Sequence, residues 1–210
     1  MKTLIYLLLI LMVTSCEKKN KKTPIHQKSK TENQVHKRYT IDAKSISIVW
    51  TAYKFTDKVG VSGTFKDFKF ETKNATGTID SILNESSLKI PTLSVDSQNE
   101  IRDPKLRSIF FKTFHTDTIK GRILTVYKDS GLVEISMNNI SKEVPYSYIV
   151  KNDSILLKTH LDLTQWNGQE AIEALNKACY ELHIGPDGIS KLWPDVTVEV
   201  QFPLLVRLQE

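Results

Sequence analysis

Asn99, Arg102, Asp103 and Arg107 stand within nine residues of one another. Two guanidiniums beside a carboxylate and a carboxamide could hold the polar head of a ligand, because arginine presents a rigid fork of donors to carbonyl or phosphate oxygens. The same four groups could instead serve their own loop, through Arg–Asp pairing and asparagine turn bonds. Elsewhere the chemistry is sparse. The chain has no Gly-x-Ser-x-Gly elbow, phosphate loop or His-Glu-x-x-His pair. His160 and Asp162 alternate along one strand face, and Glu181 and His183 close a helical run. Neither pair supplies three convergent metal ligands. No catalytic residue, metal or cofactor is therefore expected. Cys179 falls on an apolar stripe, which suits a small buried core residue better than a reactive thiol.

Strands must position these groups. Val196, Val198, Val200, Phe202, Leu204 and Val206 alternate with Thr197, Glu199, Gln201, Pro203, Leu205 and Arg207. Strict period-two alternation puts the first set on one face of a half-buried strand. Ile155, Leu157, Thr159, Leu161 and Leu163 repeat the pattern, as do Val133, Ile135 and Met137, and Ile46, Ile48 and Trp50. Around Pro91 the phase slips. Leu88 and Ile90 precede it, Leu93 and Val95 follow, and a bulge or bend would bring both pairs to one face. Turn residues separate the runs at 128–131, 138–139 and 151–154. Many short strands at close spacing predict an all-β sandwich or barrel.

Two segments depart from this period. Ser97 with Glu100 can form a capping box, and Asp103-Pro104 can start a further turn. A short helical segment near 98–109 is expected, carrying Phe110-Phe111 to the rim. Ile172, Leu175, Cys179 and Leu182 recur at helical spacing until Gly185-Pro186, which predicts a helix over about 168–183.

Residues 95–114 carry a family likeness. Asn99, Arg102, Asp103, Leu106, Arg107, Ser108 and the Phe110-Phe111 pair resemble the signature of the YceI-like family. Tyr39–Asp42, Gly60–Phe65 with Phe68, Gly131–Val150 and Trp193–Val200 resemble its other strands and hairpins. The resemblance covers most of 39–206. It departs at His115–Arg122, where the family runs through a proline into an aromatic strand, and in the longer stretch between Leu163 and Trp193. It implies a closed, lipocalin-like antiparallel β-barrel of about eight strands that holds a long isoprenoid lipid. Candidate wall residues are Trp50, Phe65, Phe68, Val133, Met137, Leu157, Leu161, Val198, Val200 and Phe202. Val, Leu, Phe and Met suit a hydrocarbon chain, which gains about 0.8 kcal/mol per CH₂ moved from water. Alternation by itself fits a filled core equally well.

The N-terminus addresses the protein. Lys2 precedes an apolar run from Leu4 to Val13, then Thr14-Ser15-Cys16. A basic start, a short apolar core and small residues describe a secretory signal over 1–15. The run reaches only about 15 Å, half a bilayer core. Val13–Cys16 also resembles a bacterial lipobox, which implies lipidation of Cys16 by palmitate-type acyl chains that hold the protein on a membrane. Residues 16–38 read as a flexible tether with too little apolar content to fold, spanning roughly 25 Å. Residues 17–38 carry +6 and residues 39–210 carry −2, within a net charge of +5. The basic character therefore lies outside the domain at 39–210, which argues against nucleic acid as a partner. With Cys16 lipidated, only Cys179 remains, so no internal disulfide is available. About 170 residues suffice for one core.

Together these features predict a bacterial envelope protein, anchored on the periplasmic or surface side. It would bind or carry an apolar isoprenoid-like lipid and would not act as an enzyme. A surface module with a filled β core that binds other proteins is the alternative. Pairing into a homodimer is left open.

Overall fold

Alternating apolar residues fold into one antiparallel sheet. The computed structural model describes residues 38–207. The signal segment, Cys16 and the tether up to Lys37 lie outside the described residues. Arg38, read above as the last tether residue, opens the first strand.

The strands are β1 (Arg38–Ile41), β2 (Ser47–Lys54), β3 (Val59–Phe65), β4 (Lys69–Glu71), β5 (Thr76–Gly77), β6 (Ser87–Pro91), β7 (Val95–Asp96), β8 (Thr118–Tyr127), β9 (Ser130–Met137), β10 (Ile140–Lys151), β11 (Ser154–Asp162) and β12 (Leu192–Arg207). The helices are α1 (Ile79–Leu83), α2 (Arg102–Lys105) and α3 (Gln169–Ala178). The sheet is strongly curled and runs β4-β6-β8-β9-β10-β11-β12-β2-β3-β7, with β1 joining β12 to β5.

Ten strands lie along this path, against the eight expected. The surplus comes from two long strands that each break at a bend. Residues 59–71 divide into β3 and β4, and residues 87–96 into β6 and β7. β4 pairs with β6, Phe70 opposite Leu88. β3 pairs with β7, Phe65 opposite Val95. Between these ladders the Lys66 N–H donates to the Ser94 carbonyl at 2.9 Å.

Hairpin chemistry sets the register of the central strands. Asn138 and Asn139 have φ of 47° and 57°, and Asn152 and Asp153 have φ of 50° and 51°. Two successive left-handed residues match the right-handed twist of the flanking strands, and Asn and Asp tolerate that region. β9 pairs with β10 from Ile140 opposite Met137 onward, and β10 pairs with β11 from Lys151 opposite Ser154. The inner faces then carry Val133, Ile135 and Met137 of β9, and Ile155, Leu157, Thr159 and Leu161 of β11, all buried.

The slip at Pro91 differs from the expectation. A 3₁₀ turn over Thr92–Ser94 takes up the extra residues. Thr92 turns inward, its hydroxyl donating to the Thr116 carbonyl at 2.8 Å, while Leu93 is 70% exposed. Only Val95 of the expected second pair is inside.

Both helical segments also differ from their predicted bounds. The first begins at Arg102 and continues as a π-helical turn over Leu106–Phe111. The predicted capping box is absent, because Asp103 claims the Ser97 hydroxyl. α3 ends at Ala178. Cys179, at φ −121°, caps it, and a 3₁₀ turn covers Tyr180–His183. The apolar stripe outruns the helix: Ile172 and Cys179 are buried, but Leu182 is 59% exposed.

Candidate ligand cavity

The inner face of the sheet and the helical segments line a cavity of about 210 Å³. β2 contributes Ile48, Trp50 and Ala52, and β12 contributes Leu192, Trp193, Val196, Val198, Val200 and Phe202. Leu106, Phe110 and Phe111 reach it from the π-helical turn, and Ile172 and Leu175 from α3. Among the described residues, the polar ones on its lining are Ser86, Ser87 and Thr159, apart from the two indole N–H groups. Those are occupied: Trp50 Nε1 donates to the Thr64 carbonyl and Trp193 Nε1 to the Phe55 carbonyl. The Thr159 hydroxyl donates to the Pro145 carbonyl at 2.9 Å. No charged side chain among the described residues lines the space. An engineered apolar cavity of about 150 Å³ stays dry and takes up benzene. This larger one has the chemistry for a hydrocarbon segment and none for an ion.

Nine of the ten predicted wall residues line the cavity: Trp50, Phe65, Val133, Met137, Leu157, Leu161, Val198, Val200 and Phe202. Phe68 does not. It sits in the bend between β3 and β4 and packs half-buried against the core. The predicted wall lacks Leu106, Phe110 and Leu175, which the helical cap supplies. Phe110 is expected at the rim, Leu175 on the packing stripe of its helix, and Leu106 only as part of the family likeness.

The polar cluster stands apart from this space. None of Asn99, Arg102, Asp103 or Arg107 lines the cavity. Asn99 Oδ1 accepts the N–H groups of Ile101 and Arg102. Asp103 is buried, and its Oδ1 accepts the Ser97 N–H at 2.9 Å and the Ser97 hydroxyl at 2.6 Å. Arg107 donates to the carbonyls of Leu93 at 2.9 Å and Val95 at 2.6 Å, and lies 3.8 Å from Asp103. These bonds tie α2 and the π-helical turn to the 92–97 bend. Because Leu106, Phe110 and Phe111 follow directly in the chain, the cluster fixes where the helical cap meets the cavity.

A residue match covers 39–204 with the YceI-like domain. The chain belongs to the YceI-like family. Solved structures share its fold. A polyisoprenoid binding domain from Saccharophagus degradans, implicated in plant cell wall breakdown, is 12% identical, with a TM-score of 0.56 over 80% of this chain and 98% of that one. BcnA of Burkholderia cenocepacia is 10% identical, with a TM-score of 0.50 over 79% of this chain and 99% of that one. At such identities the likeness shows the fold alone. A comparison with curated proteins finds no match.

The long connection from α3 to β12 carries its own polar network. His183 Nδ1 lies 2.9 Å from Asn176 Oδ1, and the Ser190 hydroxyl donates to the same oxygen at 3.3 Å. Lys54 Nζ donates to the Leu182 carbonyl at 3.0 Å. Burial, reinforced by the positive charges of Lys54, Lys105 and Arg102, depresses the His183 pKa from 6.5 to about 4. The unfolded chain binds this proton near pH 6.5, and the folded chain only near 4. Stability is therefore expected to fall as pH drops through that window and to level off below it. With the ring only partly buried, solvent screening reduces the effect to about 1 kcal/mol. Urea melts of the wild type and His183→Gln across pH 4–7 check this: the variant should lose the slope. A parallel slope in both proteins would show that His183 titrates as freely when folded as when unfolded.

Proposed function

We propose that this protein sequesters or carries a polyisoprenoid-like lipid, at a bacterial envelope membrane to which a lipidated Cys16 holds it. The observation that carries the reading is the cavity, whose lining among the described residues is almost wholly apolar and carries no charged side chain. Membership of the YceI-like family supports it, as does a fold shared with a polyisoprenoid binding domain. Binding would be partition. Each CH₂ leaving water gains about 0.8 kcal/mol, and no bond is made or broken. The reading takes the curled sheet as a closed barrel of eight strands, with 59–71 and 87–96 each counted as one bent strand. The Lys66–Ser94 hydrogen bond, bridging the β3–β7 and β4–β6 ladders, supports that closure. At about 210 Å³ the cavity takes a short hydrocarbon segment. A long chain would need half-buried lining residues such as Leu106, Leu175 and Trp193 to give way.

Gentle purification of the full chain from membranes, organic extraction and mass spectrometry test the proposal. A prenyl lipid near one equivalent is expected, and the N-terminal peptide should carry acyl chains on Cys16. A preparation yielding no extractable lipid would favour a surface module that binds proteins. An unmodified Cys16 would remove the anchor while leaving the carrier.

A further inference from the structure

One stretch of the cavity wall has neither the side chains nor the hydrogen bonding of the rest. Alternation along β8 sets Ile119, Gly121 and Ile123 on the inner face, with Lys120 and Arg122 exposed outside. Gly121 pairs with Leu88 of β6. It needs no glycine for its backbone, since Gly188 alone among the described glycines has a positive φ. It needs none for packing either: a Cβ built there meets nothing within 4 Å. A strand glycine without a backbone or packing reason marks a place left open for close approach. Its absent side chain leaves a notch in the wall.

Ser86 borders this notch. Its carbonyl accepts the Ile123 N–H at 2.9 Å, and its own N–H donates to the Leu83 carbonyl at 2.9 Å. That puts Ser86 opposite Ile123 and diagonal to Gly121, about 7–8 Å apart on one face. Ser86 is 2% exposed, yet its hydroxyl has no hydrogen-bond partner among the described residues. No fully buried side-chain polar atom among them lacks a partner. The Ser86 oxygen therefore opens onto the cavity it lines. Thr159, by contrast, has its hydroxyl committed to Pro145. A free hydroxyl on a wall that otherwise carries side chains such as Phe70, Ile123 and Phe202 is costly to leave unpaired and selective when paired.

We propose that the Ser86–Gly121 recess is a polar subsite, taking the hydroxyl or carbonyl of a ligand that is otherwise hydrocarbon. The proposal rests on the carrier reading above and adds to it which end of the ligand goes deep. Gly121 supplies the room and Ser86 the hydrogen bond, while the wall residues hold the chain.

Phytol and phytane share a branched C20 skeleton and differ in a hydroxyl and one double bond, and the Ser86→Ala variant isolates the hydroxyl's share. Titrated into the full-length protein from cyclodextrin, each is followed by tryptophan fluorescence, since Trp50 and Trp193 line the cavity. Phytol should bind about fivefold tighter than phytane, the worth of one net hydrogen bond. Ser86→Ala should erase that ratio with phytane affinity unchanged. Gly121→Val, which fills the notch, should erase it too. Equal affinities in the wild type, or a ratio that survives Ser86→Ala, would overturn the subsite while leaving the carrier reading intact. Binding of neither compound, together with an empty extract, would remove both.

Discussion

Trp166→Ala is expected to destabilise the protein by about 4 kcal/mol, the middle of the range for truncating a buried aromatic. Trp166 is fully buried, with 0% of its surface exposed. It closes the 3₁₀ turn Leu163–Trp166 that follows β11, and its indole N–H donates to the Ile135 carbonyl in β9 at 3.0 Å. Its own carbonyl accepts Asn138 Nδ2, at the β9–β10 turn, at 2.9 Å. Truncation would open a void and strand a buried carbonyl together. The collapse available to such a site is small, because Trp166 packs in the same core as Ile135 of the sheet and Leu163 of its own turn. Thermal melting should read a fall of about 12 °C, at roughly 3 °C per kcal/mol for a domain of this size. Trp166→Phe should recover most of the packing and lose only the hydrogen bond, about 1 kcal/mol. A loss below 1 kcal/mol for the alanine variant would show that the indole does not hold the turn to the sheet.

Strand faces were legible from the residues, because a period of two is a local property of the backbone. Val198, Val200 and Phe202 point inward whatever their partners are. So do Val133 and Met137, and the hairpins between them are dictated by Asn138-Asn139 and Asn152-Asp153. Elements whose bounds depend on a single competing hydrogen bond were not legible. Ser97 and Glu100 spell a capping box, but Asp103 is a stronger acceptor for Ser97 and leaves that helix to start at Arg102. Leu182 continues a helical stripe on paper, yet α3 stops at Cys179 and the next turn is 3₁₀, so Leu182 swings outward. Leu93 fails for a similar reason: the turn after Pro91 presents Thr92, whose hydroxyl finds two carbonyls inside. The cavity divides in the same way. Its strand walls follow from alternation, but the choice between a hollow and a filled interior depends on what is missing. An absent side chain at Gly121 and an unpartnered hydroxyl at Ser86 have no signature in periodicity.

Asp103→Ala should be the most damaging change within the polar cluster, costing about 3 kcal/mol, and it should do so without altering the ligand's specificity. The carboxylate is buried and receives two bonds from Ser97, with Arg107 beside it. Removing it leaves the buried Ser97 N–H unpaired and takes away the charge facing Arg107. Breaking a buried charged contact of this kind costs far more than the contact contributes as a pair. Asp103→Asn keeps an acceptor for Ser97 and forfeits only the charge, so about 1 kcal/mol is expected. Arg107→Lys tests the other half. A lysine ammonium cannot reproduce the fork that reaches both Leu93 and Val95, and the bend at 92–97 should loosen. The measurement that matters pairs urea melting with the phytol titration. If the cluster positions the helical cap, stability falls in the order Ala, Lys, Asn while the phytol-to-phytane ratio holds. If the arginines instead grip the ligand's oxygen, Arg107→Lys lowers that ratio at unchanged stability, and the polar end of the lipid belongs at Arg107 rather than at Ser86.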